Sequence, residues 1–303
     1  MQRIFVVGCP RSGTTLVQAL LARHPLVYAL PETGFFAWLY GELAWRWGDR
    51  GARPRRRRLR HRFDIARSRA RKAMHALRAR LPEAPRPRPL PWRTHGCARR
   101  FVALLDAQAA AAGRALWVEK TPYHLLYIPE IERLVPQARF VHVIRRGEDV
   151  LASVADANLR YDGNDAFGGG IVHWAQRWNR AARIHLDCAG RPQHHFVFLD
   201  DLIADLDVEW RRLCAFLGLD AELELDDRCA QPVADLDSEP WKRAAADGRP
   251  RRAERKAERL FGPQTLDWLR QRLVPYQELR RACAAGRDAR AAPEPRRRLV
   301  QPA

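Results

Sequence analysis

The stretch "RIFVVGCPRSGTTLVQALLARHP" (3–25) constrains what this chain can fold into more than any other. "RIFVVG" is a short β-branched apolar run closed by Gly8, the pattern of a buried strand. From Thr14 onward Leu16, Val17, Leu20 and Leu21 recur at helical spacing, and Pro25 ends the helix they predict. Between the two, Gly8 and Gly13 occupy the glycine positions of a phosphate-binding loop, G-x-x-x-x-G-K-[ST], in the strand–loop–helix context that such a loop requires. Thr14, however, stands where the lysine belongs. A ligand for this loop would want the helix N-terminus and its N–H groups, but no lysine reaching for a γ-phosphate. The plain alternative is a tight turn with no ligand.

The pattern repeats along the chain. "ALWVEK" (115–120), "ARFVHVIR" (138–145) and "HHFVFLDDL" (194–202) read as strands. "FFAWLYGELAWRWG" (35–48), "FVALLDAQAAAAG" (101–113), "IVHWAQRWNRAARIHLDCAG" (171–190) and "DVEWRRLCAFLGL" ending at Gly218 read as helices. A further helix begins with Thr121 as N-cap and Pro122 at its first position. Strands alternating with helices predict an α/β fold: a P-loop-like parallel sheet with helices on both faces. Ligands of such sheets bind at the carboxyl ends of the strands. One domain is expected over 1–285, with a disordered tail over 286–303, where apolar periodicity is missing.

The net charge of +19 is concentrated. Residues 46–100 hold 20 Arg or Lys against Asp49, Asp64 and Glu83, so this stretch reads as a basic helical and Pro-rich insertion or cap. Its apolar face is too weak for membrane insertion, although peripheral contact with an anionic membrane stays open. A field that attracts anionic substrates and a solvated charge run are the two readings that remain. The six cysteines, at 9, 97, 188, 214, 229 and 283, show no metal-like spacing and are expected to be free thiols. Neither an export signal nor an apolar run long enough to span a bilayer is visible, so the expected location is the cytoplasm.

"VGCPRSGTTLVQALLARHPLVYALPET" resembles the opening of the PAPS-dependent sulfotransferase superfamily, in the bacterial branch similar to protein-tyrosine sulfotransferases. PAPS is 3′-phosphoadenosine 5′-phosphosulfate. The resemblance runs in outline from residue 3 to about 218. It implies that Arg11, Ser12, Gly13, Thr14 and Thr15 hold the 5′-phosphosulfate, which would explain the missing lysine. In "IRRGEDVLASV" (144–154) it implies that Arg145 and Ser153 bind the 3′-phosphate, a task that suits the forked donors of an arginine. In "PETGFF" (31–36) it makes Glu32 the general base, with Pro31 replacing the family's first acid. In "VEKTP" (118–122) Lys120, together with Arg11, would neutralise charge on the transferring and leaving groups, and Thr121 departs from the family's Asp. "DSEPWKR" (237–243) is similar to a loop that closes over the nucleotide, making Ser238 and Lys242 candidate phosphate contacts.

Two features of the family lack clear counterparts. Phe198 and Leu199 stand where an adenine-contacting tyrosine is expected, and Arg160 is the nearest substitute for a further arginine. His124 could serve as an alternative base, but a surface histidine on a helix is the simpler reading.

The implied reaction is direct in-line transfer of a sulfuryl group from PAPS, a donor co-substrate, to an acceptor hydroxyl, releasing adenosine 3′,5′-bisphosphate without a metal. A small-molecule, glycan or lipid acceptor is expected ahead of a protein tyrosine, and no nucleic-acid partner. Two other classes remain as alternatives. A nucleoside-triphosphate-dependent small-molecule kinase with a degenerate loop would need an acid at a strand end, for which only "VFLDD" is available. A non-catalytic basic nucleic-acid module would leave the stretches at 8–16 and 145–153 unexplained.

Overall fold

The computed structural model describes residues 1–53, 63–66, 68–79, 81, 91–161, 167–226, 236–237, 239–251 and 255–288. Among these residues five strands form one wholly parallel sheet: β1 (Gln2–Gly8), β2 (Val27–Leu30), β3 (Leu116–Lys120), β4 (Ala138–Ile144) and β5 (His194–Phe198). Their order is β2-β3-β1-β4-β5. β1 therefore lies at the centre, with Val6 opposite Lys120 of β3 and Gly8 opposite Val143 of β4. The chain works on one side of β1 through β3 and then crosses to β4. The carboxyl ends of β1, β3 and β4 thus meet at the point where the direction of winding reverses.

Strand residues alternate between the two faces, as a doubly covered parallel sheet requires. Phe5, Val7, Trp117 and Phe140 belong to one core, with Phe101, Trp174 and Trp178 of the covering helices. Ile4, Val6, Val118 and Val141 belong to the other, against Leu16, Leu20 and Leu213. Helix α1 (Thr14–Ala22) lies in this second layer, buried along its whole length. In the basic segment, the helix Ser68–Ala79 is anchored by Ala70, Met74 and Leu77, which are buried in the first core. The last helix runs to Asp288, past the expected boundary at 285, and 289–303 lie outside the described residues.

Several local expectations are revised. β2 was not legible, because four residues directly after a helix and a proline give no measurable period. β5 stops at Phe198, and Leu199–Ala204 turn into a helix with Asp200 and Asp201 in its first turn, where acids suit the helix dipole. Residues 35–48 form two short helices, Phe35–Tyr40 and Leu43–Trp47, broken at Gly41 and Glu42, both with positive φ. The stretch after Thr121 is a 3₁₀ segment, Pro122–Tyr127, followed by the helix Ile128–Leu134. Cys9, Cys97, Cys188, Cys214 and Cys283 are buried free thiols, whereas Cys229 lies outside the described residues.

One polar chain runs through the first core. Arg191 pairs with Glu132 at 2.5 Å, and His194 Nε2 meets the same carboxylate oxygen at 3.0 Å. His194 Nδ1 lies 2.8 Å from His142 Nε2, and His142 Nδ1 lies 2.9 Å from His185 Nδ1. A carboxylate accepting from His194 leaves Nδ1 to accept from His142, and His142 in turn to accept from His185, so one acid sets three tautomers. Cys188 stands beside His142 and His194, close enough for the three to share a cation, which chain spacing did not indicate. Both nitrogens of His142 are already hydrogen-bonded to neighbouring imidazoles.

Burial holds the His142 and His185 imidazoles neutral, the second down to about 3 from an ordinary 6.5. An unfolded chain protonates them near 6.5 while the folded chain does not, so the unfolded state binds more protons as pH falls below that value. Stability should therefore drop on acidification, by up to about 1.4 kcal/mol per pH unit for each such group. Urea midpoints measured at about pH 7.5 and about pH 5.5 should differ in that direction, and equal midpoints would contradict neutral buried imidazoles.

Candidate functional site

The loop after β1 is shaped by its backbone. Arg11 and Gly13 both have positive φ, at 73° and 98°. Such turns direct successive N–H groups into a concavity suited to anions. A side chain at Gly8 would place Cβ 2.5 Å from the Val143 carbonyl oxygen, so the close approach of β1 to β4 requires glycine. Helix α1 starts with no side-chain cap, leaving the N–H groups of its first turn for a ligand.

Arg145 follows β4 directly, and Ser153 lies on the helix Gly147–Arg160. The two strand-end loops are in contact: Arg11 Nε donates to Ser153 Oγ at 3.1 Å, and Arg145 Nη1 reaches the Arg11 carbonyl at 3.4 Å. Burial and the neighbouring Arg145 lower the Arg11 guanidinium to about 10, outweighing the opposing pull of Asp156.

β3 supplies the third wall. Glu119 and Lys120 are consecutive strand residues, so their side chains leave on opposite faces, and both are fully buried. Glu119 Oε1 accepts from Thr121 Oγ1 at 2.6 Å, Thr33 Oγ1 at 2.7 Å and Thr33 N at 3.2 Å. Its Oε2 meets His124 Nδ1 at 2.9 Å. Phe36 N donates to His124 Nε2, which places the imidazole proton on Nδ1. Burial works against the Glu119 charge, but the bonds from His124, Thr121 and Thr33 outweigh it and hold the carboxyl below its ordinary range. His124 is thus a buried support, contrary to the expectation of a surface histidine. Thr121 is the N-cap of the 3₁₀ segment, with Pro122 at its first position as expected, but its hydroxyl makes no capping bond: it donates to Glu119 and accepts from Gly34 N.

This network holds the segment 31–36 against β3, and Glu32 beside Lys120. Glu32 Oε2 accepts from Lys120 Nζ at 2.7 Å and from Lys242 Nζ at 2.8 Å. Lys242 comes from the 3₁₀ segment Pro240–Ala245 and also pairs with Glu239. Burial opposes the Glu32 charge, yet the two ammonium groups prevail and bring its carboxyl to about 2.

A cavity of about 380 Å³ opens here, lined among others by Arg11, Gly13, Thr14, Thr15, Glu32, Lys120, Arg145, Ser153 and Lys242. Nine of the residues singled out from the sequence therefore share one space. Ser12 does not: it is buried and lines a separate small cleft with Cys9 and His185. Ser238 lies outside the described residues. Arg160 pairs with Asp156 and is not among the residues lining the cavity. The acids after β5 are taken up by arginines, Asp200 by Arg146 and Asp201 by Arg280.

Sequence reasoning missed Glu239, although it sits between two residues that were singled out. It also missed the aromatic wall of Trp47, Tyr123, Phe167, Trp174 and Trp241. Only proximity distinguishes these from core aromatics, and the chain spacing of the five carries no such signal.

The model described as the Sulfotransferase family matches residues 3–223. A Caenorhabditis briggsae protein named "Putative protein-tyrosine sulfotransferase" is 28% identical over 226 residues, 72% of this chain and 66% of that protein. The matched stretch is thus just under two thirds of the relative's length. Among solved structures, the sulfotransferase domain from the curacin biosynthetic pathway is 16% identical, with a TM-score of 0.51, covering 94% of this chain and 96% of that one. The sulfotransferase domain from the Synechococcus PCC 7002 olefin synthase is 20% identical, with a TM-score of 0.47, covering 97% and 96%. No helix among the described residues is long and apolar enough to cross a membrane.

Replacing Glu119 with alanine strands the donors of Thr33, Thr121 and His124 in a dry interior. The expected loss is about 3–5 kcal/mol of folding stability, read from urea denaturation. A loss below about 1 kcal/mol would mean that the carboxylate does not organise the segment.

Proposed function

Because the chain belongs to the sulfotransferase family, we propose that it transfers the sulfuryl group of PAPS directly to an acceptor hydroxyl and releases adenosine 3′,5′-bisphosphate. The observation that carries this reading is the junction of the two strand-end loops. Arg11 bonds to Ser153 and Arg145 reaches the Arg11 backbone, around one cavity that also contains Glu32 and Lys120. A ligand with anionic groups at both ends of a nucleoside fits cations arranged in this way, and a triphosphate tail is not needed.

In the proposed assignment, the N–H groups at the start of α1, with Arg11, Thr14 and Thr15, bind the 5′-phosphosulfate. Ser12 lines the neighbouring cleft and its N–H donates to the Cys9 carbonyl, so in this assignment it shapes the loop and does not touch the ligand. Arg145 and Ser153 bind the 3′-phosphate, with Arg145 providing charge-assisted hydrogen bonds. Glu32 takes the proton of the acceptor hydroxyl as its oxygen bonds to sulfur. The bond from sulfur to the bridging oxygen breaks as the new one forms, and the electron pair stays with the departing phosphate. Lys120 and Arg11 balance the charge that develops there, while Lys242 adds a second ammonium group beside Glu32. Holding the two reactants in line accounts for much of the acceleration expected of such a site.

The acceptor side would be the aromatic wall of Trp47, Tyr123, Phe167, Trp174 and Trp241, which suits a small molecule, glycan or lipid presenting its hydroxyl from an apolar or ring-shaped body. The similar protein carries a protein-tyrosine name, so a tyrosine hydroxyl belongs among the acceptors to be assayed.

Calorimetric titration with adenosine 3′,5′-bisphosphate, with ATP as comparison, tests the class, and binding of ATP alone would point elsewhere. Arg145→Ala should weaken the bisphosphate by about 1.5–3 kcal/mol through loss of a charged hydrogen bond. Unchanged affinity would remove Arg145 from the 3′-phosphate site. Glu32→Ala should still bind the nucleotide while turnover with a screened hydroxyl acceptor falls about 100-fold or more. Full turnover in that variant would transfer the role of base to another group.

A further inference from the structure

Glu32 has a second feature that a general base does not need. A single carboxylate oxygen, Oε2, accepts from two ammonium groups, Lys120 Nζ at 2.7 Å and Lys242 Nζ at 2.8 Å. Among the described residues, five cations line the cavity, Arg11, Lys120, Arg145, Arg177 and Lys242, against the carboxylates of Glu32 and Glu239. Arg177 is committed to Asp49 through two bonds, at 2.9 and 2.6 Å, and Arg11 is bonded to Ser153. The lysines are different: the partners found for them among the described residues are the cavity's own carboxylates.

We propose that Glu32 Oε2 occupies the place of a donor oxyanion, so that this carboxylate and the donor's phosphosulfate compete for Lys120 and Lys242. The inference rests on the donor reading above. Lys120 is fully buried, so its charged form is favoured only with an anion beside it. Before the donor arrives, Glu32 fills that need. When a tetrahedral oxyanion enters between the lysines, the carboxylate is released towards the acceptor. Protonating a carboxylate that bridges two ammonium groups would break two ion pairs at once, so Glu32 is a poor proton acceptor while it is held. Once released it becomes a better one. The same contact would therefore keep the base idle until the donor is bound.

A purely structural ion pair predicts the opposite binding behaviour. If Glu32 only stabilises Lys120, neutralising it should disorder the lysine and weaken anion binding. If Glu32 competes, neutralising it should strengthen binding.

The experiment is calorimetry of the full-length chain with adenosine 3′,5′-bisphosphate, whose 5′-phosphate carries the oxygens left after transfer. Glu32→Gln is expected to bind it about 10-fold more tightly than the unaltered chain, equivalent to about 1.4 kcal/mol. The gain should shrink when Lys242→Ala is also present, because one of the released cations is then gone. Glu239→Gln removes an equal charge from the same wall but has no bond to Lys120, and its gain should be smaller. If the unaltered chain binds the bisphosphate while Glu32→Gln binds it equally or less tightly, the competition is refuted and the proposed function stands. If the unaltered chain does not bind it at all, both readings fall. Glu32→Asp provides a second route should the glutamine variant not fold. The shorter carboxylate withdraws from the lysines and should bind the bisphosphate more tightly than the unaltered chain, and equal affinity would again refute competition.

Discussion

The buried Glu119 carboxylate decides where the reactive groups of this protein stand. It sits at the end of the strand next to β1, wholly out of solvent, and is bonded to Thr33, Thr121 and His124. A charge in that position is tolerable only because each oxygen has well-placed donors. Those donors come from two stretches, Thr33 before the first short helix and Thr121 to His124 directly after β3, so satisfying the carboxylate also fixes the two relative to each other. Glu32 precedes Thr33 by one residue, and Lys120 follows Glu119 by one. Fixing one pair thus fixes the other, on the opposite face of the strand.

The sheet provides the rest of the geometry. Parallel strands all end at the same edge, and the reversal around β1 leaves the carboxyl ends of β1, β3 and β4 adjacent. Each contributes cations there: Arg11 after β1, Lys120 on β3 and Arg145 after β4. Burying these charges costs energy, and like charge nearby adds to it, Arg145 on Arg11 and Lys242 on Lys120; the lowered Arg11 and Lys120 are the signature. The charges are held by packing that has no stake in them, such as Trp178, whose indole N–H donates to the Arg145 carbonyl. A site assembled in this way is preorganised for an anion and pays for its arrangement through the folding of the two cores.

The basic insertion acquires a partial structural meaning from the same packing. Its helix Ser68–Ala79 turns Met74 and Leu77 into the first core, which also contains Phe35 and Phe36 from the segment after Glu32. The insertion is therefore joined to the layer behind the site, while Arg69, Arg71 and Lys72 of the same helix are exposed. The imidazole chain from Glu132 to His185 illustrates another use of a buried acid, since one carboxylate at the edge sets proton positions deep inside.

The amino-acid sequence by itself determined the strand, glycine loop and helix at the start, the alternation that requires an α/β sheet, and the spacing of Arg145 and Ser153. These depend on residues within a turn or two of one another, where backbone sterics and apolar period act directly. Tertiary structure alone decided that Glu32 meets Lys120 across 88 residues and Lys242 across 210. It also decided that His124 is buried, that Ser12 faces the neighbouring cleft, that β5 ends at Phe198, and that Glu239 and five aromatics line the cavity. The reason is physical: burial and long-range ion pairs follow from which strands become neighbours, and a linear pattern records the faces of an element but not what those faces will meet.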